Sequence, residues 1–231
     1  MLILAFESSA KPASVAVLEV CDDFCNTQKS KLLGQYFQHN GFSHSRTLLV
    51  MAESLLSGLE IKPSDIGLVA VAKGPGSFTG IRIGVSAAKG FAWGLDIPVC
   101  GVSTLEAMAR QTKISDTIIC AVMDARRNQV YNALFKWRDN KLERLCDDRA
   151  ISIDDLALDL KNYDRPFMLV GDGTNVCKEN IPDGNYLCTP EMLHYQTAYG
   201  VALGALCAES MPSEMLEPYY LRPSQAERER K

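Results

Sequence analysis

Apolar and polar positions alternate with two different periods along this chain, and the switches between them divide it into elements. Residues 2–6 form a continuous apolar run, which predicts a buried strand. A polar turn follows at residues 7–12, and residues 14–19 alternate as a strand coming back. Residues 32–38 predict a third strand of the same meander. From residue 44 to 59 the period becomes helical, with Ser43 placed as N-cap. This helix carries more apolar positions than one core-facing stripe needs: Leu48, Ala52, Leu55 and Leu59 line one face, and Leu49 and Leu56 with Val50 or Met51 line a second. Residues 68–72 predict another buried strand, and residues 79–95 a second helix rich in small side chains at Gly80, Gly84, Ala87, Ala88 and Gly90. Glycine inside a helix costs about 1 kcal/mol relative to alanine, so close approach of another backbone is the expected reason.

The second half repeats the opening faintly. Residues 98–102 predict a strand and 103–112 a helix. Residues 118–123, 124–128 and 129–135 then read strand, polar acidic turn and returning strand, as 2–6, 7–12 and 14–19 did. A strand after Lys141, a helix over 152–160, a strand over 166–171 and a last helix over 195–209 complete the pattern. Two such halves predict a duplicated α/β architecture with a cleft between them. The boundaries are one subdomain over 1–102, a second over 103–223 with its tail pinned by Tyr219 and Tyr220, and a frayed end over 224–231.

Composition narrows the class. The chain has 231 residues, 47% hydrophobic and 23% charged, with a formal net charge of −4. That length supports a sizeable core. The mild acidity argues against this chain being the main grip on nucleic acid. No run reaches transmembrane length and the start lacks a basic, extended leader, so no membrane contact and a cytoplasmic location are expected. The eight cysteines include no Cys-x-x-Cys pair, and Cys100, Cys120 and Cys207 fall in apolar runs, which predicts buried reduced thiols. Cys21 and Cys25 flank an acidic turn, but two ligands fall short of the four a zinc site usually needs.

The densest motif is Lys73-Gly74-Pro75-Gly76-Ser77-Phe78-Thr79-Gly80-Ile81-Arg82-Ile83-Gly84, a glycine loop between strand and helix. Such a loop can aim backbone N–H groups at an anion, or it can be a tight turn with Ser77 or Thr79 as N-cap. It lacks the terminal Gly-Lys-Ser/Thr of a P-loop, and Ser77 does not sit in the Gly-x-Ser-x-Gly pattern of a nucleophile elbow. His44 opens a helix without a visible nucleophile or orienting group, which favours a surface or interface role over catalysis. Arg82 and Arg126 are candidate anion or partner contacts.

This glycine block resembles the TsaB/YeaZ family, together with Ala5-Phe6-Glu7-Ser8-Ser9, His44-Ser45, Gly101-Val102-Ser103-Thr104-Leu105, Met123-Asp124-Ala125-Arg126-Arg127 and Tyr219-Tyr220-Leu221-Arg222. The resemblance implies the actin/hexokinase/Hsp70-like duplicated fold. It also implies a non-catalytic partner of TsaD, which transfers the threonylcarbamoyl group to the tRNA adenosine next to the anticodon. The ATPase TsaE is the further implied partner, homodimerisation is expected when TsaD is absent, and tRNA is met only through the complex. The TsaD pattern Gly-Val-Asn-His-Leu-Glu-Gly-His carries two histidines four apart, where this chain has Thr104 and Met108. Neither suits a hard catalytic metal, so none is expected. The implied partner interface is the helix pair, at His44, Leu48, Leu49, Met51, Ala52, Leu55, Leu56, Gly84, Ala87, Ala88 and Phe91. A nucleotide is not required, but ATP or ADP has candidate phosphate contacts at Glu7, Ser8, Ser9, Gly74, Gly76, Ser77, Asp124 and Arg126. Those two hairpin tips can equally be relics kept for turn geometry. A stand-alone nucleotide-dependent hydrolase or kinase is the alternative function.

Overall fold

In the computed structural model the described residues are 1–20, 30–41, 43–114, 116–163, 166–182, 184–187 and 189–222. The expectations for Cys21, Cys25 and the 224–231 end lie outside them.

The N-terminal lobe is a five-stranded sheet in the order β3-β2-β1-β4-β5. Its strands are β1 (Leu2–Glu7), β2 (Ala13–Val20), β3 (Ser30–Gln38), β4 (Ile66–Gly74) and β5 (Val99–Ser103). β1, β2 and β3 form the antiparallel meander, and β4 and β5 add in parallel. Period-two alternation sends Leu4, Phe6, Val69 and Val71 to one face, where α1 (His44–Gly58) and α2 (Phe78–Leu95) cover them. Ile3, Ala5, Ala70 and Ala72 point to the other face, under α6 (Ala198–Ala205). Small side chains meet there from both sides, Ala198, Ala202 and Ala205 of the helix against the sheet alanines.

The second sheet runs β10-β6-β7-β8, with β9 also paired to β7. Its strands are β6 (Ile118–Asp124), β7 (Gln129–Arg138), β8 (Lys141–Arg144), β9 (Arg149–Ser152) and β10 (Phe167–Val170). β6 and β7 form the antiparallel hairpin and β10 lies parallel to β6, as β4 does to β1. The halves are thus two copies of one topology, and the chain has the actin/hexokinase/Hsp70-like duplicated fold. α3 (Thr104–Arg110) covers one face through Leu105, Met108 and Ala109. α4 (Ile153–Leu160) and α5 (Thr174–Asn180) cover the other.

The covering helices are exchanged. α3 directly follows the first sheet and lids the second, whereas α6 follows the second sheet and lids the first. They meet closely, since a Cβ at Gly200 would lie 2.3 Å from Ala107 O.

Four expectations differ in detail. The strand after Lys141 is two short strands separated by a turn. The last helix is shorter than 195–209, because Thr197 caps its start and accepts from Gly200 N–H. α5 had no counterpart in the sequence pattern. Cys207 is exposed, not buried, because it lies beyond the end of α6, whereas Cys100, Cys120 and Cys177 are buried free thiols.

Candidate functional site

Two places collect the candidate residues: the seam between the lobes, where the first hairpin tip meets the glycine loop and the second tip stands on the facing rim, and the outer face of α1 and α2.

At the seam, the turn after β1 is buried despite its polarity. Glu7, Ser8 and Ser9 have essentially no solvent exposure. The glycine loop roofs them. Ser77 N–H donates to Ser9 O at 2.6 Å, and Ser8 Oγ donates to Gly80 O at 2.9 Å. A Cβ at Gly80 would stand 2.1 Å from Ser8 O, so no other residue allows this approach. Gly74 has φ +124°, and a side chain there would meet Tyr219 O at 2.2 Å. Ser77 is the N-cap of α2, its Oγ accepting from Gly80 N–H.

Burial raises the Glu7 carboxyl to about 7, and the neighbouring Asp172 charge adds to the rise, while hydrogen bonds from Ser9 oppose it. Glu7 Oε1 accepts from Ser9 N–H at 2.6 Å, and Oε2 has no protein partner. Asp172, just past β10, accepts from Gln196 Nε2 at 2.9 Å and is itself raised by burial, with the Asp124 charge contributing. The start of α1 is tied to the same tip: His44 Nε2 lies 2.8 Å from Ala10 O. His44 is therefore half-buried and engaged inside its own chain.

The matching tip of the second lobe is open. Asp124, Arg126, Arg127 and Asn128 are exposed, and the last three have φ of 61°, 55° and 56°. Asp124 Oδ1 accepts from Arg126 N–H at 2.7 Å, and Ala125 N–H donates to Gln129 O. The structure thus brings Glu7, Ser8, Ser9, Gly74, Gly76 and Ser77 together and leaves Asp124 and Arg126 on the other lobe's rim. The Ser77 amide is already spent on Ser9 O, and the carboxyl beneath is dry and close to neutral.

Thr104 and Met108, at the positions of the paralogue's histidines, lie on the buried face of α3. Met108 Sδ would be 2.7 Å from a Cβ at Gly171, in the glycine turn that follows β10. No group of three or more His, Cys, Asp or Glu among the described residues is arranged to hold a metal.

The helix pair divides into an inner and an outer face. Leu48, Met51, Ala52, Leu55 and Leu56 of α1, and Gly84 and Ala88 of α2, are buried in the first lobe's own core. These seven positions, expected at the interface, face the first lobe's own core: α1 packs on both β2 and α2, which takes up the first stripe and Met51 and Leu56 of the second. Outside remain Leu49 and Val50, 53% and 57% exposed, and the half-buried Ile83, Ala87 and Phe91. Gly80 and Gly84 are required by Ser8 beneath them, whereas Gly90 and Gly94 face open space. Ile83, Ala87, Gly90 and Gly94 fall four, three and four residues apart on one stripe, half-buried against the core at Ile83 and Ala87 and exposed at Gly90 and Gly94.

Comparison with known proteins places this geometry. Residues 40–219 match the family described as TsaD: tRNA N6-adenosine threonylcarbamoyltransferase. The tRNA threonylcarbamoyladenosine biosynthesis protein TsaB of Bacillus subtilis is 36% identical over 183 residues, 79% of this chain and 76% of that one. The chain belongs to the TsaB/YeaZ family. The Escherichia coli TsaB is 34% identical over 142 residues, 61% of this chain and 57% of that protein. YeaZ from Pseudomonas aeruginosa superposes with a TM-score of 0.75 at 22% identity, covering 95% of this chain and 99% of that one, so TsaB/YeaZ proteins share the fold as well.

The sequence patterns named Arg82 but missed what surrounds it. Phe78, Arg82, Tyr131 and Arg222 are joined by the C-terminal segment, where Tyr220 stacks on Phe78 with ring centroids 4.6 Å apart. Tyr219 N–H donates to Lys73 O at 2.7 Å, which pins that segment across the glycine loop. The tyrosines were legible as anchors, but their anchoring sites were not.

Proposed function

We propose that this chain acts in tRNA threonylcarbamoyladenosine formation as a non-catalytic scaffold and activator of a TsaD-type transferase, which modifies the adenosine next to the anticodon. It docks through the outer face of α1 and α2. The observation that carries this reading is the stripe of Ile83, Ala87, Gly90 and Gly94 beside the exposed Leu49 and Val50. Two helix-interior glycines with no neighbour cost about 2 kcal/mol together relative to alanine. A second helix pair laid against them, from a paralogue of the same fold, is what makes that cost useful. A second copy of this chain fits the same face when TsaD is absent, and TsaE joins as the ATPase of the assembly. The roofed first tip and the Thr104 and Met108 pair support a role without nucleotide turnover or metal chemistry by this chain.

Reconstitution tests it. Purified chain, TsaD, tRNA and threonylcarbamoyl-adenylate are combined, and modified adenosine is measured with and without the chain. Product is expected only when both proteins are present. Leu49→Glu and Val50→Glu, both more than half exposed, should abolish co-elution with TsaD while leaving the thermal melt within a few degrees of wild type. TsaD working equally well alone, or co-elution surviving both substitutions, would overturn the reading. Magnesium-dependent ATP turnover by the chain alone, lost in Asp124→Ala, would establish the hydrolase or kinase alternative.

A further inference from the structure

The arginines of this chain divide by what they face. Arg110, Arg138, Arg144 and Arg149 each pair with a carboxylate: Glu106, Glu143, Asp148 and Asp159 respectively, with Arg144 also reaching Glu106. Arg46, Arg82, Arg126, Arg127 and Arg222 pair with none among the described residues. Two of them lie over rings instead. The Arg82 guanidinium stands 3.9 Å above the Phe78 centroid, and its Nε donates to Tyr220 Oη at 2.9 Å. Arg222 lies 5.6 Å from the Tyr131 centroid and donates to Ala125 O and Gln129 Oε1.

These side chains make one ridge. The C-terminal segment touches α2 through Tyr220 and the β6–β7 hairpin through Arg222, two residues on, so it bridges the lobes. Arg126 and Arg127 stand exposed on the tip beside Ala125, in left-handed backbone conformations. The carboxylates nearby in sequence are Asp124, whose Oδ1 holds Arg126 N–H, and the exposed Glu217. The exposed Asp154 and Asp155 also lie beside the tip, where Ile153 N–H donates to Asn128 O, so the four cations share this edge with four acids, in a chain whose net charge is −4.

We infer that this ridge contacts the phosphodiester backbone of RNA, with Arg82, Arg126, Arg127 and Arg222 as the phosphate ligands. The inference rests on the tRNA reading above and adds a direct contact to it. Arg82, held over Phe78 with only its Nε engaged, keeps both terminal nitrogens for phosphate oxygens, whereas Arg222 must exchange its bonds to Ala125 O and Gln129 Oε1 to bind one. Rings interleaved with arginines are the usual make-up of a surface that tracks a nucleic-acid strand. The acidic total charge weighs against a general grip by this chain, not against a local one placed where the partner brings the RNA.

The test uses the complex with TsaD and a fluorescently labelled unmodified tRNA, titrated between about 50 and 200 mM KCl. R82Q/R126Q/R127Q/R222Q removes all four phosphate ligands. It should lower the slope of log K against log salt by about 3 and weaken binding on the order of 10- to 100-fold. R126Q/R127Q, whose side chains hold nothing else among the described residues, should lower the slope by about 1.4. R138Q, on the salt-bridged side, should leave it unchanged. An unchanged slope in both arginine variants overturns the inference. So does failure to co-elute with TsaD while the remaining complex keeps its slope, which would make the ridge a protein contact. Should wild-type chain and TsaD not associate at all, the scaffold reading fails on its own. The same titration of the chain alone then decides this inference, a lower slope in the variants supporting it and an unchanged one overturning it.

Discussion

The two hairpin tips began as the same object and have ended in opposite environments. The first, Glu7-Ser8-Ser9, lies under the glycine loop with its carboxyl dry and raised to about 7. The second, Asp124 to Asn128, stands in solvent with three successive left-handed residues and two arginines that face no carboxylate among the described residues. A long helix makes the difference. In the first lobe the turn after β4 leads into the 18-residue α2, whose Gly80 and Gly84 press onto Ser8. In the second lobe the turn after β10 leads into the seven-residue α5, which reaches no further than the base of its tip. The comparison teaches that two hairpins of the same topology can end one closed and one open according to the length and approach of the helix that follows.

The contrast breaks most readily at Gly80. Gly80→Ala places a methyl group 2.1 Å from Ser8 O, so the roof must lift. A loss of about 3 kcal/mol is expected, seen as a melting temperature lower by about 6–12 °C in a chain of this size. A melt unchanged from wild type would mean the first tip is not closed.

Next comes the buried carboxyl. Because the folded Glu7 binds its proton more tightly than the unfolded one, folding takes up a proton between the ordinary glutamate range and about 7. Stability on this account is greatest below pH 4.5 and falls as pH rises towards 7. Glu7→Gln keeps an acceptor for Ser9 N–H and removes the titration. It should stabilise the protein at pH 8, by at most about 3 kcal/mol, with the gain shrinking towards pH 5. Urea midpoints across that range check it. Asp172, raised in the same direction, should leave a residual slope of the same sign.

The smallest effect belongs to the open tip. Arg127→Gly removes a side chain from a left-handed position and should be neutral or stabilising by up to about 1 kcal/mol, with no dependence on pH. A loss as large as that of Gly80→Ala would show that the second tip is as tightly held as the first.

Much of this was legible because it is local. Both hairpins, the glycine loop, its Ser77 cap and the duplication follow from period and punctuation within short windows. What failed was everything decided across the fold. The apolar positions of α1 could be counted, but Leu49 and Leu56, seven residues apart on one stripe, end 53% exposed and buried respectively. Small residues on α2 read as one class, yet Gly84 answers to Ser8 and Gly90 to nothing in this chain. α5 is Thr-Asn-Val-Cys-Lys-Glu-Asn, too short and polar to show a period, and it is held by its place under β6. The arginine ridge draws on positions 78, 82, 131, 220 and 222, which no window contains.

The exchanged lids carry a consequence for how the protein is made. Synthesis finishes the strands of the first sheet at Ser103, but the helix that covers their alanine face ends at Ala205. At about 5–20 residues per second, the ribosome needs roughly 5–20 s to deliver it. Throughout that interval the nascent first lobe carries a bare apolar surface, while the second lobe emerges with its own cover already made. The N-terminal half is first to be translated and last to be completed, and it is the half a chaperone would have to hold.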